Sequence, residues 1–90
     1  MEKVWYLYVV RCADSTLYTG ITTDVRRRVH EHNRTKRGAK YTRTRRPVEL
    51  VWEKEYKTRS EAQSAEYSFK RLLHRKKWEV IRAAERILFE

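Results

Sequence analysis

The chain is poor in residues that staple or punctuate a fold. One cysteine, Cys12, excludes an intramolecular disulfide and makes a reducing cytoplasm the expected setting. Cys12 itself reads as a small buried residue rather than a reactive thiol. One proline, Pro47, and two glycines, Gly20 and Gly38, leave few obligatory breaks. Acids are scarce, 12 against 22 Lys and Arg, for a net charge of +10. No apolar run approaches the roughly 20 residues needed to span a bilayer. The start of the chain has no basic region leading into an apolar segment and a cleavage site, so no signal peptide is expected. There are no internal repeats.

With 90 residues, the expectation is a single domain over 1–90 that buries roughly 60–65% of its unfolded surface. The positive charge is concentrated. Ten Lys and Arg fall between Arg26 and Arg46 with a single acid, Glu31. An even coating serves solubility, whereas a surplus in one helix and one loop points to an anionic partner. Nucleic acid, DNA first, is favoured over membrane.

Val4 to Arg11 is β-branched and aromatic throughout and suits a central strand. Ala13 to Thr16 supplies turn chemistry, and Leu17 to Ile21 forms the second arm of a hairpin. Gly20 inside that arm predicts a close backbone approach or a bulge. Asp24 is the favoured N-cap of a helix ending near His32 or Arg34. Asn33 to Arg46 has no apolar period and reads as an exposed basic loop. Val48 to Tyr56 alternates as a third strand, with Leu50 and Trp52 on one face. Thr58 or Ser60 caps a helix through about Leu73, and a last helix from about Lys76 to Leu88 packs through Trp78, Ile81 and Leu88. The fold class is α/β, a three-stranded antiparallel sheet flanked by helices in the order β-β-α-β-α-α.

At 100° per residue, Val25, Val29 and His32 share one side of the first helix, edged by Arg28. His32 there is a satisfied core histidine or a functional one. An inward-leaning guanidinium needs an anionic neighbour or an open cleft. The second helix has an apolar arc of Ala62, Ala65, Phe69, Leu72 and Leu73, with Glu66 at its edge. That carboxylate either pairs with Arg28 or Lys70, or ligates Mg²⁺, which commonly takes one or two carboxylates plus substrate oxygens and water. Tyr8 and Tyr18 of the hairpin are packing residues or chemical ones. Together the set covers the needs of phosphodiester hydrolysis: a metal to polarise the phosphate, a cation for its oxygens, and phenol or imidazole groups to move protons.

At these residues the chain resembles the GIY-YIG nuclease domain superfamily, and within it the small stand-alone UPF0213-like members, over about Lys3 to Lys77. Tyr6-Leu7-Tyr8 stands at the first motif and Tyr18-Thr19-Gly20 at the second. Arg28 follows Gly20 by eight residues and His32 comes four later; Glu66 stands at the metal-binding glutamate. Gly38 to Arg43 with Arg45-Arg46-Pro47 is typical of the stand-alone group. Tyr6 replaces the first Gly of the name-giving pattern, Leu7 its Ile, and Thr19 the middle Ile of the second motif.

The resemblance implies one divalent ion, Mg²⁺ or Mn²⁺, and in-line attack of water on a phosphodiester. It implies Tyr8 as general base, Glu66 as metal ligand, Arg28 as phosphate stabiliser, and Tyr18 and His32 as water-positioning or proton-transferring groups. Arg34, Lys36, Arg37, Lys40, Arg43, Arg45 and Arg46 are the expected phosphate contacts, giving affinity without sequence readout. The leading expectation is a metal-dependent endonuclease with little sequence specificity. The alternative is a non-catalytic nucleic-acid-binding module or accessory subunit on the same fold, with a protein partner supplying targeting. A third reading has the basic face meeting an acidic protein.

Overall fold

In the computed structural model, which describes residues 3–89 and side chains through residue 84, the sheet order is β2-β1-β3. Strands β1 (Trp5–Arg11) and β2 (Leu17–Thr22) form a hairpin, helices α1 (Val25–Arg34) and α2 (Lys40–Arg43) lead from β2 to β3 (Glu49–Tyr56), and α3 (Arg59–Lys70) and α4 (His74–Phe89) follow. Both neighbours of β1 run antiparallel to it. The expected order of the major elements holds. The expected C-terminal packing residue Leu88 has its side chain outside the described residues.

β1 is central because it is apolar on both faces. Leu7, Tyr8, Val9 and Val10 are all at most 2% exposed. Tyr8 and Val10 pack with Cys12, Val25 and Val48 on the α1 side. Leu7 and Val9 pack with Phe69 and Ile81 on the α3–α4 side. The sheet is therefore the middle of three layers.

The hairpin closes with the Cys12 amide donating to the Thr16 carbonyl at 2.8 Å, and Ser15 takes the left-handed conformation at φ 70°. Such a residue commonly ends a three-residue hairpin loop. Asp24 caps α1 as expected, accepting from the Arg27 amide at 3.0 Å. Thr58 caps α3, accepting from the Glu61 amide at 3.1 Å.

Three sequence expectations need correction. Leu50 and Trp52 do not share a face: the register shifts so that Val9 opposes Trp52 while Val10 opposes Leu50. The extra residue, Val51, is a β-bulge. It sends Trp52 onto Phe69, with ring centroids 5.7 Å apart, and leaves Leu50 on the α1 side beside Tyr6 and Val25. The helix expected to run through Leu73 stops at Lys70, and Leu73 is 70% exposed in the turn to α4.

The third correction concerns Asn33 to Arg46, which is not a free loop. It contains α2 and lies directly on α1. A Cβ on Gly38 would meet the Glu31 carbonyl and the His32 Cα at 2.9 Å, so only glycine permits this approach. Asn33 ties the far end, donating to the Val48 carbonyl at 3.0 Å and accepting from the Val48 amide at 2.6 Å.

Candidate functional site

Tyr8 projects from β1 across its β2 partner, Gly20. A Cβ at Gly20 would stand 2.6 Å from the Tyr8 hydroxyl, so the expected close approach is that of the Tyr8 ring to the β2 backbone. The phenol oxygen lies 2.7 Å from Nε2 of His32, which α1 delivers from the opposite layer. His32 is fully covered, and its Nδ1 faces Thr42 Oγ1 at 2.9 Å and the Ala39 amide at 3.3 Å.

Those contacts select the imidazole tautomer. The Ala39 N–H can only donate, so it requires a bare Nδ1. The Thr42 hydroxyl lies 2.9 Å from both Nδ1 and the Ala39 carbonyl. That carbonyl already accepts from the amides of Thr42 at 3.1 Å and Arg43 at 3.3 Å. The hydroxyl is therefore free to donate to Nδ1. A proton on Nδ1 would leave the Ala39 amide without its acceptor, so the ring proton sits on Nε2. His32 accordingly donates to the Tyr8 oxygen, a bond that favours the phenolate form.

Other forces oppose that form. Burial, then the charge environments of Tyr18 and Glu66, push the Tyr8 phenol up to about 12, outweighing the neighbouring Arg28 guanidinium. Burial, reinforced by Arg28 and Arg46 and partly offset by Glu31, brings the His32 imidazole down to about 4. At neutral pH the pair is an uncharged imidazole and a protonated phenol.

The remaining members surround this pair. Arg28 bonds Glu31 Oε1 at 3.1 Å and the Arg37 carbonyl at 2.7 Å, which locks the guanidinium at the mouth of α1. Its anionic neighbour is thus Glu31, one turn along, and not Glu66. Glu66 pairs with Lys70 at 3.4 Å and keeps about a quarter of its side chain exposed. Tyr18 sets its ring edge-on to His32 at 5.2 Å and stacks on Tyr41 at 6.0 Å. β1, β2 and α1 therefore bring Tyr8, Tyr18, Arg28 and His32 together, and α3 carries Glu66 near enough for its charge to act on the Tyr8 phenol.

The GIY-YIG catalytic domain matches residues 4–79. The chain belongs to the GIY-YIG family. It is 50% identical over 85 residues to a UPF0213 protein of Desulfotalea psychrophila, covering 94% of this chain and 77% of the relative. A UPF0213 protein of Staphylococcus aureus is 48% identical over 77 residues, covering 86% and 93%. Among solved structures, a UPF0213 protein of Bacillus halodurans superposes with a TM-score of 0.58 at 41% identity, covering 89% of this chain and 84% of that one. A protein of E. faecalis gives 0.60 at 41% identity, covering 100% and 94%. GIY-YIG membership implies an endonuclease-type activity on nucleic acid, and GIY-YIG nucleases generally depend on a divalent metal. No helix among the described residues is long and apolar enough to cross a membrane.

The donor set fits such an ion in one way only. Among the described residues no group of three or more His, Cys, Asp or Glu converges as a metal cage. A partly exposed carboxylate such as Glu66 instead suits Mg²⁺ or Mn²⁺ completed by water and phosphate oxygens.

The basic residues of this GIY-YIG chain divide into two groups. Arg34, Lys36, Arg37, Lys40 and Arg43 are exposed. Arg46 turns inward, donating to the His32 carbonyl at 2.5 Å and to the Thr35 carbonyl. It neutralises the carbonyl end of α1, where a cation is favoured. Arg45 pairs with Asp14 at 3.0 Å and sits 3.9 Å from the Tyr41 ring centroid. Two contributors escaped the residue-by-residue reading, Thr42 and Tyr41. The segment Gly38 to Arg43 drew notice only as a motif, because neither side chain has a period that marks it as part of a site.

Proposed function

We propose that this chain is a single-domain, metal-dependent endonuclease that hydrolyses phosphodiesters in DNA or structured nucleic acid with little sequence specificity. The carrying observation is the Tyr8–His32 bond, with Arg28 beside it and Glu66 close enough to act on the phenol. Packing alone would not place a buried phenol on a neutral imidazole donor next to a guanidinium and a partly open carboxylate.

Glu66 would hold the divalent ion, with the phosphate and water completing its shell. When bound, the ion polarises the phosphate and lowers the proton affinity of nearby oxygens. Tyr8 must first give its own proton to solvent; the His32 Nε2–H and Arg28 would steady the resulting phenolate, which then takes a proton from the attacking water and returns to the phenol. Arg28 also meets charge on the phosphate. Tyr18, fixed by His32 and Tyr41, lines the approach. Arg34, Lys36, Arg37, Lys40 and Arg43 hold the backbone through charge, which carries no sequence information.

The test is nicking of supercoiled DNA with Mg²⁺ or Mn²⁺ by the wild type and Glu66→Ala, with binding measured separately in chelator. Loss of nicking by at least 100-fold with binding retained supports the proposal. Equal nicking by both proteins refutes the site. Binding by both without cleavage in either metal means that the chain is a binding module.

A further inference from the structure

A groove of about 220 Å³ opens beside the catalytic residues, lined by Leu17, Tyr18, Thr19, Tyr41, Lys70 and Lys77. Its floor is β2, which lies at the edge of the sheet. Tyr41 stands on the α2 side, and Lys70 and Lys77 come from α3 and α4 on the other. The groove thus straddles the sheet edge, with an aromatic wall facing two ammonium groups.

Three observations identify its occupant. Tyr41 is 38% exposed although two neighbours hold its ring. Tyr18 stacks on it at 6.0 Å, and the Arg45 guanidinium, held by Asp14, covers it at 3.9 Å. A fixed, exposed aromatic ring loses little entropy when a planar ligand stacks on it. The charged side chains that line the groove are both cations, Lys70 and Lys77, and Lys70 also pairs with Glu66 at 3.4 Å. By contrast, the larger groove beside Tyr6, about 410 Å³, carries Asp24 and Glu53 against Arg26 alone and repels an anion. Aromatic faces with interleaved cations are the chemistry of single-stranded nucleic-acid binding. A groove of this volume has room for one base.

We propose that this groove is a subsite for one unpaired nucleotide beside the scissile phosphate. Its base packs on the part of the Tyr41 ring that Tyr18 and Arg45 leave exposed, and its phosphate meets Lys77 and, in exchange for Glu66, Lys70. The inference rests on the endonuclease reading and narrows its substrate to nucleic acid with an unpaired nucleotide at the cut. A fully paired duplex would have to extrude a base first, at a cost in unstacking.

The experiment uses 2-aminopurine at an unpaired position of a gapped DNA, and in the matching paired duplex, titrated with the full chain in chelator. The expected result is a saturable emission change for the gapped DNA. Tyr41→Ala should weaken that binding roughly 5- to 150-fold, the range of one lost base stack, and leave duplex affinity unchanged. Tyr41→Phe should restore it. Lys77→Glu gives an independent arm on α4, expected to weaken gapped DNA more than duplex. Thermal melts establish that each variant is folded, and Lys77→Glu decides the matter if Tyr41→Ala is not. Wild-type affinity in the folded variants, or unchanged emission on saturated binding, overturns the subsite. If the groove binds as expected but no substrate is cut with Mg²⁺ or Mn²⁺, the endonuclease reading fails and the subsite stands. If DNA is cut and Tyr41→Ala leaves the gapped-to-paired ratio unchanged, the subsite alone fails.

Discussion

His32 makes the fold acid-sensitive in a way that can be worked out from its surroundings. Burial, Arg28 and Arg46 lower its imidazole from 6.5 to about 4, against a smaller opposing effect of Glu31. In the unfolded chain it titrates at its ordinary value. Above about pH 6.5 neither state carries the proton, and the stability is fully present. Between about 6.5 and 4 only the unfolded chain binds it, so folding weakens by about 1.4 kcal/mol per pH unit. Below about 4 both states are protonated and this loss levels off. The whole window is worth about 3 kcal/mol, or roughly 12–24 °C in melting temperature for a domain of this size. The assay compares urea or thermal unfolding of the wild type and His32→Gln from about pH 7 to about pH 4.5. The difference between the curves isolates His32 from the carboxylates. Asp14, held below the usual carboxylate range by Thr16 and Arg45, begins its own loss at lower pH. The variant should lack the steep slope. A parallel decline of both proteins, or an NMR titration of His32 centred near its ordinary value, refutes the reasoning.

Three further outcomes are expected. Gly20→Ala drives a methyl to within 2.6 Å of a phenol oxygen that is already tied to His32; it should cost about 1–3 kcal/mol and reduce nicking, as read by melting and by plasmid cleavage. Thr42→Val removes the hydroxyl at Nδ1 and should cost about 1 kcal/mol. Nitrogen NMR should show the ring proton on Nε2 in the wild type, with Thr42→Ser behaving alike; a proton on Nδ1 in the wild type would sink the tautomer assignment. Ser15→Gly relieves a side chain held at φ 70°, and should raise stability by about 0.5 kcal/mol after the added freedom of the unfolded glycine is counted. The Arg11 guanidinium donates to Ser15 Oγ at 3.1 Å, and an unchanged or lower denaturation midpoint would show that this bond outweighs the strain.

Much of the candidate site was legible because it lies on local geometry. Helical spacing put His32 beside Val25 and Val29, and the structure buries it there. A glycine inside a strand announced a close approach, and Tyr8 is what approaches. What could not be read were contacts between segments distant in the chain. The bulge at Val51 depends on how β3 meets β1, and alternation within β3 alone gave the wrong face for Leu50. Arg46 looked like one more cation in a basic run, yet the open carbonyls at the end of α1 captured it.

The sequence by itself determined the order of the major elements, the inner face of α1, and the residue types that phosphodiester chemistry needs. Composition and period act over a few residues, so they survive without knowledge of the partners. Only the tertiary structure decided how Thr42 and the Ala39 amide set the proton on His32, and which arginines remain free. It also decided that Tyr41 and the two lysines of α3 and α4 meet across the edge of β2. Those outcomes depend on hydrogen-bond satisfaction and desolvation among residues brought together by folding, and neither exists until the chain has closed.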